Sequence, residues 1–196
     1  MLYICISSVW EITNNDLIEV ESDLDENTLA ISMSDGKSDW VQSLNLSMID
    51  LTLLLSNSGW LNDDLIRAAQ VLLKKTFPKV GGLSDPLYVA AGRKRNPDEK
   101  WLQIINVGDR NHWVMASNFH CNIDHVCVYD SLHMKPSEEL SYQLSCLCAC
   151  PVETTSLKIQ VMNVTRQSGS SDCGLFAVAN ATALLYHCFT NKIRVL

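Results

Sequence analysis

Apolar side chains recur at helical spacing in the segment WLNDDLIRAAQVLLKKTF, residues 60–77. Steps of three and four residues place them on one stripe, which is the pattern of an amphipathic helix. Asn62 stands where an N-cap is needed, acidic residues follow in the first turn, and two lysines lie in the last. Pro78 and the Gly81-Gly82 pair end the pattern, so we predict a helix within this segment. The stripe consists of Leu61, Leu65, Ala68, Ala69, Leu72 and Leu73.

Four later runs are rich in β-branched and aromatic residues and are bounded by Gly, Asn or Asp, as is typical of strands. They are WLQIINV at 101–107, WVMAS at 113–117, HVCVYD at 125–130 and LKIQVMNV at 157–164. Together they predict a central sheet.

Two further helices are indicated beside these strands. KPSEELSYQLSCLCAC, residues 135–150, has Pro136 in its first turn, where proline is tolerated. CGLFAVANATALLYHC, residues 173–188, is apolar on nearly every side, which is typical of a helix buried in the centre of a domain. The order of helices and strands predicts an α+β domain.

Charge divides the chain into two parts. Residues 1–50 hold ten acidic residues and one basic residue, Lys37, whereas residues 51–196 hold twelve acidic and fourteen basic residues. We therefore expect an acidic, mobile or loosely packed N-terminal segment over 1–50 and a globular domain over 51–196. The weak positive balance of the second part does not favour nucleic acid as a partner.

Composition limits the compartment. The first ten residues lack a basic region and a cleavage site, and no apolar run is long enough for a membrane span. We therefore expect an intracellular protein of the nucleus or cytoplasm. We also expect it to be a monomer. The eight cysteines lie mostly in apolar runs, which favours reduced, buried thiols over a disulfide framework. The spacing C-x-C-x-C at 146–150 differs from that of common zinc sites, so we expect no metal.

Cys173 has a setting that favours nucleophilic chemistry. It stands between the turn QSGSSD and the apolar helix, and a helix N-terminus stabilises a thiolate through its unpaired N–H groups and positive dipole. Ser171 or Asp172 can cap this helix, and Gly174 leaves space beside the sulfur.

A thiolate needs a base, and the base needs a group that orients it. His112 begins one predicted strand and Asp130 ends the next, so antiparallel pairing would bring the two together. Gln167 lies on the turn before Cys173, where its amide could donate to an oxyanion.

Four blocks resemble the ubiquitin-like-protein protease family, the SUMO-specific (sentrin) and related cysteine peptidases. They are WLNDDLI at 60–66, HW at 112–113, VYDSL at 128–132 and QSGSSDCG at 167–174, and their order matches the family's order of His, Asp, Gln and Cys. The likeness extends over roughly residues 57–188. GGLSDPL at 81–87 and SSDCGLFA at 170–177 are most similar to uncharacterised, often transposon-associated animal members.

The resemblance implies a papain-like α+β fold with a central mixed sheet and a buried helix that starts at the nucleophile. It implies Cys173 as nucleophile, His112 as base, Asp130 as its partner, and Gln167 with the Cys173 backbone N–H as the oxyanion hole. Trp113 and Trp60 would form the walls of a narrow channel for the Gly-Gly tail of a ubiquitin-like modifier. The implied activity is that of a thiol protease, a hydrolase that releases the modifier through a thioester without a cofactor.

Two features depart from the family. The acidic segment before Trp60 matches no family element, and the chain continues only briefly after Cys188, where the family usually has a further helical stretch, so we expect a shortened C-terminal end. Two other interpretations stay open at this point. One is a catalytically inactive module that binds a modifier, and the other is an accessory protein of a mobile element.

Overall fold

The computed structural model describes residues 39–56, 58–87, 99–108, 111–121, 125–148 and 157–190. Four helices are present in these ranges: α1 (Met48–Leu55), α2 (Asp63–Thr76), α3 (Glu138–Cys148) and α4 (Cys173–Thr190). Seven strands accompany them: β1 (Asp39–Val41), β2 (Leu46–Ser47), β3 (Gly81–Gly82), β4 (Trp101–Val107), β5 (His112–Ser117), β6 (His125–Tyr129) and β7 (Lys158–Val161).

The central sheet is mixed and has the strand order β3-β4-β5-β6-β7. The inner pairs β4–β5 and β5–β6 are antiparallel, and the outer pairs β3–β4 and β6–β7 are parallel. Val107 at the end of β4 faces His112 at the start of β5, so a short connection joins these two strands. A small antiparallel pair, β1–β2, precedes the sheet.

The sheet carries an apolar core on each face, because β5 sends alternate side chains to opposite sides. Trp113 and Met115 pack with residues of α2 and α4 in the larger cluster. Val114 and Ala116 point the other way and pack with residues of α3. The helix α4 lies against β4 and β5, as its nearly all-apolar sequence predicted.

The predicted helices and strands of residues 60–190 are present, and the α+β class is confirmed. The capped helix is α2, with the Asn62 side chain accepting the Leu65 N–H at 3.0 Å. The strand β4 has the predicted bounds, and the last strand is shorter than the predicted run 157–164. The short strand β3 at the Gly81-Gly82 pair was not predicted, because two glycines carry no periodic signal.

Packed structure begins before the boundary that charge suggested at residue 51. Leu44 and Leu46 are buried in the larger core, and Trp40 packs against it, so residues 39–50 belong to the folded unit. The physical reason is that the burial of a few apolar side chains decides whether a short segment folds, whatever the average charge of the first fifty residues. The remainder of the predicted acidic segment, residues 1–38, lies outside the described residues.

A buried carboxylate fixes this early segment to α2. Asp50 accepts from the Ser47 backbone N–H and hydroxyl, both at 2.8 Å, which gives a capping box at the start of α1. Its other oxygen accepts from Asn62 Nδ2 at 2.7 Å. One side chain therefore caps α1 and holds the residue that caps α2.

The cysteines differ in part from the expectation of reduced thiols. Cys121 and Cys127 form a disulfide with their Cα atoms 6.7 Å apart, so the expectation is wrong for this pair. Cys127 lies within β6 and Cys121 in the loop before it. The spacing of these two cysteines in the sequence does not indicate that they would pair. Cys146, Cys173 and Cys188 are free thiols. Among the described residues, no helix is both long enough and apolar enough to cross a membrane.

Two buried glutamines join α2 to the sheet. Gln70 Oε1 accepts from Gln103 Nε2 at 2.9 Å and from the Ile104 backbone N–H at 3.0 Å. Both side-chain amides donate to the Ser84 carbonyl, and Gln103 Oε1 accepts the Ser84 N–H at 3.0 Å. The Ile104 N–H faces the edge of β4 beyond the end of β3, where no neighbouring strand among the described residues can accept it. Gln70 Oε1 accepts this N–H in place of the backbone carbonyl of a strand.

We expect Gln70→Ala to lower the free energy of unfolding by about 2–3 kcal/mol, because it leaves the buried Ile104 N–H without its acceptor and removes one of the acceptors of Gln103 Nε2. Urea unfolding followed by circular dichroism measures the change. Gln42→Ala is the matched control, since the Gln42 side chain is exposed. Equal stability of the two variants would contradict a structural role for the glutamine network.

Candidate active site

Cys173 occupies the first position of α4. The Asp172 carbonyl accepts the Phe176 N–H at 3.0 Å, which makes Asp172 the residue that precedes the first helical turn. The Cys173 side chain is 1% exposed, at the point where the positive end of the helix dipole is strongest. The sequence prediction of a cysteine at a helix N-terminus thus agrees with the structure.

His112 and Asp130 meet as the strand pattern predicted. Because β5 and β6 are antiparallel, the start of β5 lies beside the end of β6. His112 Nε2 and Asp130 Oδ1 are 2.7 Å apart, and both side chains are buried. Two backbone groups also donate to the carboxylate: Leu132 N–H to Oδ1 at 2.8 Å and Met134 N–H to Oδ2 at 2.9 Å.

These contacts decide the charge of the pair. Burial alone raises the pKa of Asp130, but hydrogen bonds from His112, Leu132 and Met134 outweigh it and hold the pKa of this carboxyl below its usual value. Burial alone lowers the pKa of His112, but hydrogen bonds with Asp130 and Cys173 and their negative charges raise it to about 9. The imidazole is therefore protonated at neutral pH.

The thiol of Cys173 responds to the same partner. Burial raises its pKa, while the hydrogen bond and the charge of His112 lower it, together with the backbone N–H groups of Trp113 and Gly174. The balance leaves the pKa of Cys173 below its ordinary value. A thiolate beside an imidazolium is the state that makes a cysteine nucleophilic.

Gln167 is buried near this group, with its amide held at both ends. Its Nε2 donates to the Gly169 carbonyl at 2.7 Å, and its Oε1 accepts from the Ser131 hydroxyl at 2.5 Å. One N–H of Nε2 is thus used within the turn before α4, and the second takes no part in these two contacts. The sequence predicted this location for Gln167 but gave no sign of its partner Ser131.

Trp60 and Trp113 line one open cleft of about 600 Å³. Trp60 is 38% exposed, whereas Trp113 is 3% exposed and donates from Nε1 to the Leu61 carbonyl at 2.8 Å. Trp113 therefore belongs to the core and to the cleft wall at once. The other lining residues are Leu61, Asn62, Asp63, Pro86, Leu87, Ile105, Asn106, Gly108, Asn111, Glu139 and Gln143.

Leu61 connects the cleft wall with the first turn of α4, a role that sequence reasoning missed. A Cβ atom on Gly174 would lie 2.9 Å from the Leu61 Cβ, so only glycine allows α4 to approach this closely. The prediction was that Gly174 leaves space beside the sulfur; the structure shows that Leu61 fills the space beside Gly174. No group of three or more His, Cys, Asp or Glu side chains within the described ranges is arranged to hold a metal ion.

Comparison with known proteins gives matches among solved structures alone. No protein-family model matches the chain, and no similar curated protein was found. The SUMO protease Ulp1 with its catalytic cysteine oxidized to a sulfonic acid superposes with a TM-score of 0.61 at 16% identity, over 92% of this chain and 88% of that one.

Two further matches have partners bound. The C-terminal Ulp1 protease domain in complex with Smt3, the yeast ortholog of SUMO, gives a TM-score of 0.57 at 17% identity, over 92% of this chain and 87% of that one. The Xanthomonas campestris effector protein XopD bound to ubiquitin gives 0.53 at 17% identity, over 72% and 82%. The fold is thus that of the Ulp1-like cysteine proteases, and the predicted papain-like α+β architecture is confirmed.

We expect Cys173 to react with chloroacetamide as a low-pKa thiol. The midpoint of its pH–rate profile should lie below that of Cys188, whose pKa is raised by burial. His112→Ala should move the Cys173 midpoint upward and leave that of Cys188 unchanged, which makes Cys188 an internal control. Peptide mapping by mass spectrometry measures both rates. Identical midpoints for the two thiols would contradict a thiolate–imidazolium pair.

Proposed function

We propose that this protein is a cysteine peptidase that cleaves after the Gly-Gly tail of a ubiquitin-like modifier. The observation that carries the proposal is the buried chain of contacts from Cys173 through His112 to Asp130, at the start of a helix whose Gly174 N–H donates to the sulfur. The Ulp1-like fold supports the same reaction class.

The reaction follows from the charges of these groups. The Cys173 thiolate attacks the carbonyl carbon of the terminal glycine, and the protonated His112 gives its proton to the leaving amine. This leaves a thioester on Cys173 and a neutral imidazole. His112 then takes a proton from water as the resulting hydroxide attacks the thioester, the C–S bond breaks to restore the Cys173 thiolate, and the modifier leaves as a carboxylic acid that loses its proton to water. Asp130 keeps the ring oriented and stabilises its charge in both steps.

The negative charge of each tetrahedral intermediate needs donors. The Cys173 backbone N–H and the free N–H of Gln167 Nε2 are the groups we assign to this oxygen. Donors of this kind contribute because they are already oriented when the charge develops, in a site from which water is excluded.

The cleft supports a glycine tail as substrate. Trp60 and Trp113 line it together, and glycine, which has no side chain, is suited to pass between rigid rings. Two of the similar structures contain Smt3 or ubiquitin, which supports a modifier or its conjugates as the partner. The alternative of a modifier-binding module without activity shares the cleft but gives no role to the lowered pKa of Cys173 beside the raised pKa of His112.

A panel of modifiers that carry a C-terminal vinyl sulfone tests this function. We expect at least one modifier to add covalently to the protein, with a mass increase located on Cys173 by peptide mapping, because the thiolate attacks a group placed where the carbonyl carbon would be. Cys173→Ala should show no adduct. Cys146→Ala, which removes another free thiol, is the matched control and should react as the parent does.

Two outcomes would count against the proposal. A modifier that binds Cys173→Ala and the parent equally, with no adduct on the parent, indicates the inactive binding module. Failure of the whole panel to bind or react excludes a modifier as the partner.

The channel makes a separate prediction about the substrate. Replacing the penultimate glycine of the tail by alanine should lower kcat/KM by roughly ten- to a hundredfold, because overpacking costs about 1–3 kcal/mol. Trp60→Ala should reduce this difference by opening one wall. Trp60 is the better variant, since truncating the buried Trp113 would also damage the core.

The measurement is the ratio of kcat/KM for the glycine and alanine substrates in each variant. Tyr142→Ala removes an exposed aromatic ring that does not line the cleft and should keep the ratio of the parent. An unchanged ratio in Trp60→Ala would show that Trp60 does not border the tail.

A further inference from the structure

We propose that Ser131 is a positioning residue that sets the orientation of the Gln167 amide for the reaction; this inference rests on the proposed function. Ser131 directly follows Asp130, and its side chain is 2% exposed. It touches Gln167 twice: its hydroxyl donates to Gln167 Oε1 at 2.5 Å, and its carbonyl accepts the Gln167 backbone N–H at 3.0 Å.

The first contact decides which end of the amide faces which neighbour. A side-chain amide has an acceptor and a donor of nearly the same shape, so an unsupported glutamine can present either. Here the Ser131 hydroxyl satisfies Oε1 while the Gly169 carbonyl accepts from Nε2. Rotating the amide by half a turn would place Oε1 against the Gly169 carbonyl, where two acceptors repel each other. The N–H donors are therefore kept on the side of the Gly169 carbonyl, in the turn that precedes Cys173.

The second contact fixes the backbone of Gln167. Beyond β7, the chain from 162 to 172 forms no helix or strand, so its position depends on single contacts. Met162 donates to the Val128 carbonyl at 2.8 Å, and Gln167 donates to Ser131. These two bonds attach the segment before the nucleophile to β6 and to the turn that follows it.

Asp130 and Ser131, two neighbouring residues of one turn, thus orient two different side chains. The first orients the base His112, and the second orients the amide that we assign to the oxyanion. Adjacent residues can serve two different partners here because β6 ends at Tyr129 and the chain turns, with the His133 N–H bonded to the Asp130 carbonyl at 3.0 Å.

Kinetics with a Gly-Gly substrate give the first test. Ser131→Ala should lower kcat about tenfold with little change in KM, less than the roughly 10²–10³ lost when an oxyanion donor is removed altogether. In the Gln167→Ala background, the same substitution should have almost no further effect, because Ser131 acts through Gln167. Ser117→Ala, which removes another buried hydroxyl bonded to a carbonyl, is the matched control and should keep the parent kcat.

Nuclear magnetic resonance gives a second test that does not depend on hydrolysis. In ¹⁵N-labelled Cys173→Ala protein, the two hydrogens on Gln167 Nε2 should be separate signals, and adding Ser131→Ala should speed their exchange with water about tenfold. Unchanged exchange, or independent effects of Ser131→Ala and Gln167→Ala on kcat, would overturn the inference. If the unsubstituted protein hydrolyses no Gly-Gly substrate, the proposed function is wrong. The exchange measurement then still decides whether Ser131 holds the Gln167 amide.

Discussion

The buried carboxylate of Asp130 is the group on which the charges of the site depend. A carboxylate removed from water is costly unless it is paired and hydrogen-bonded, and this one receives two backbone N–H groups and the ring of His112. Because the backbone donors stabilise its charge, Asp130 stays ionised and in turn favours the protonated form of His112. The imidazolium then lowers the pKa of Cys173. The order of dependence runs from the turn to the carboxylate, to the imidazole, and last to the sulfur.

Packing determines whether the sulfur is near enough to take part. The helix α4 packs against β4 and β5 while Leu175 and Phe189 stay exposed, and its first turn lies close to Leu61 because Gly174 has no side chain to collide with it. The Leu61 carbonyl is in turn held by the indole of Trp113, the residue after His112. A contact that looks purely structural therefore places both Cys173, which precedes Gly174, and one wall of the cleft. This is why the cleft and the reactive pair cannot be varied independently.

The sequence predicted those features whose signal is local, and it missed those that need a distant partner. α2 and β4 were predictable because capping residues and strand-forming runs lie within the elements themselves. The segment of α1 was not predicted because it spans the boundary that the charge pattern suggested between residues 50 and 51, and its apolar run is too short for a helical stripe to stand out. The orientation of Gln167 was beyond prediction for another reason: it depends on a hydroxyl 36 residues away. Likewise, Trp113 was assigned to the channel, but its bond to a backbone carbonyl 52 residues earlier had no sequence signal.

The register of β4 with β5 is specified by two buried polar contacts, those of His112 and Trp113. Side chains alternate along a strand, so a slip of one residue would send His112 to the face of Trp113 and Trp113 to the face of α3. Both would then lose their partners, Asp130 and the Leu61 carbonyl. Each buried polar group thus penalises every register except the observed one, and the apolar residues between them need only the right size and alternation. Apolar identities can change within that limit, while the polar contacts of His112 and Trp113 keep the site in place.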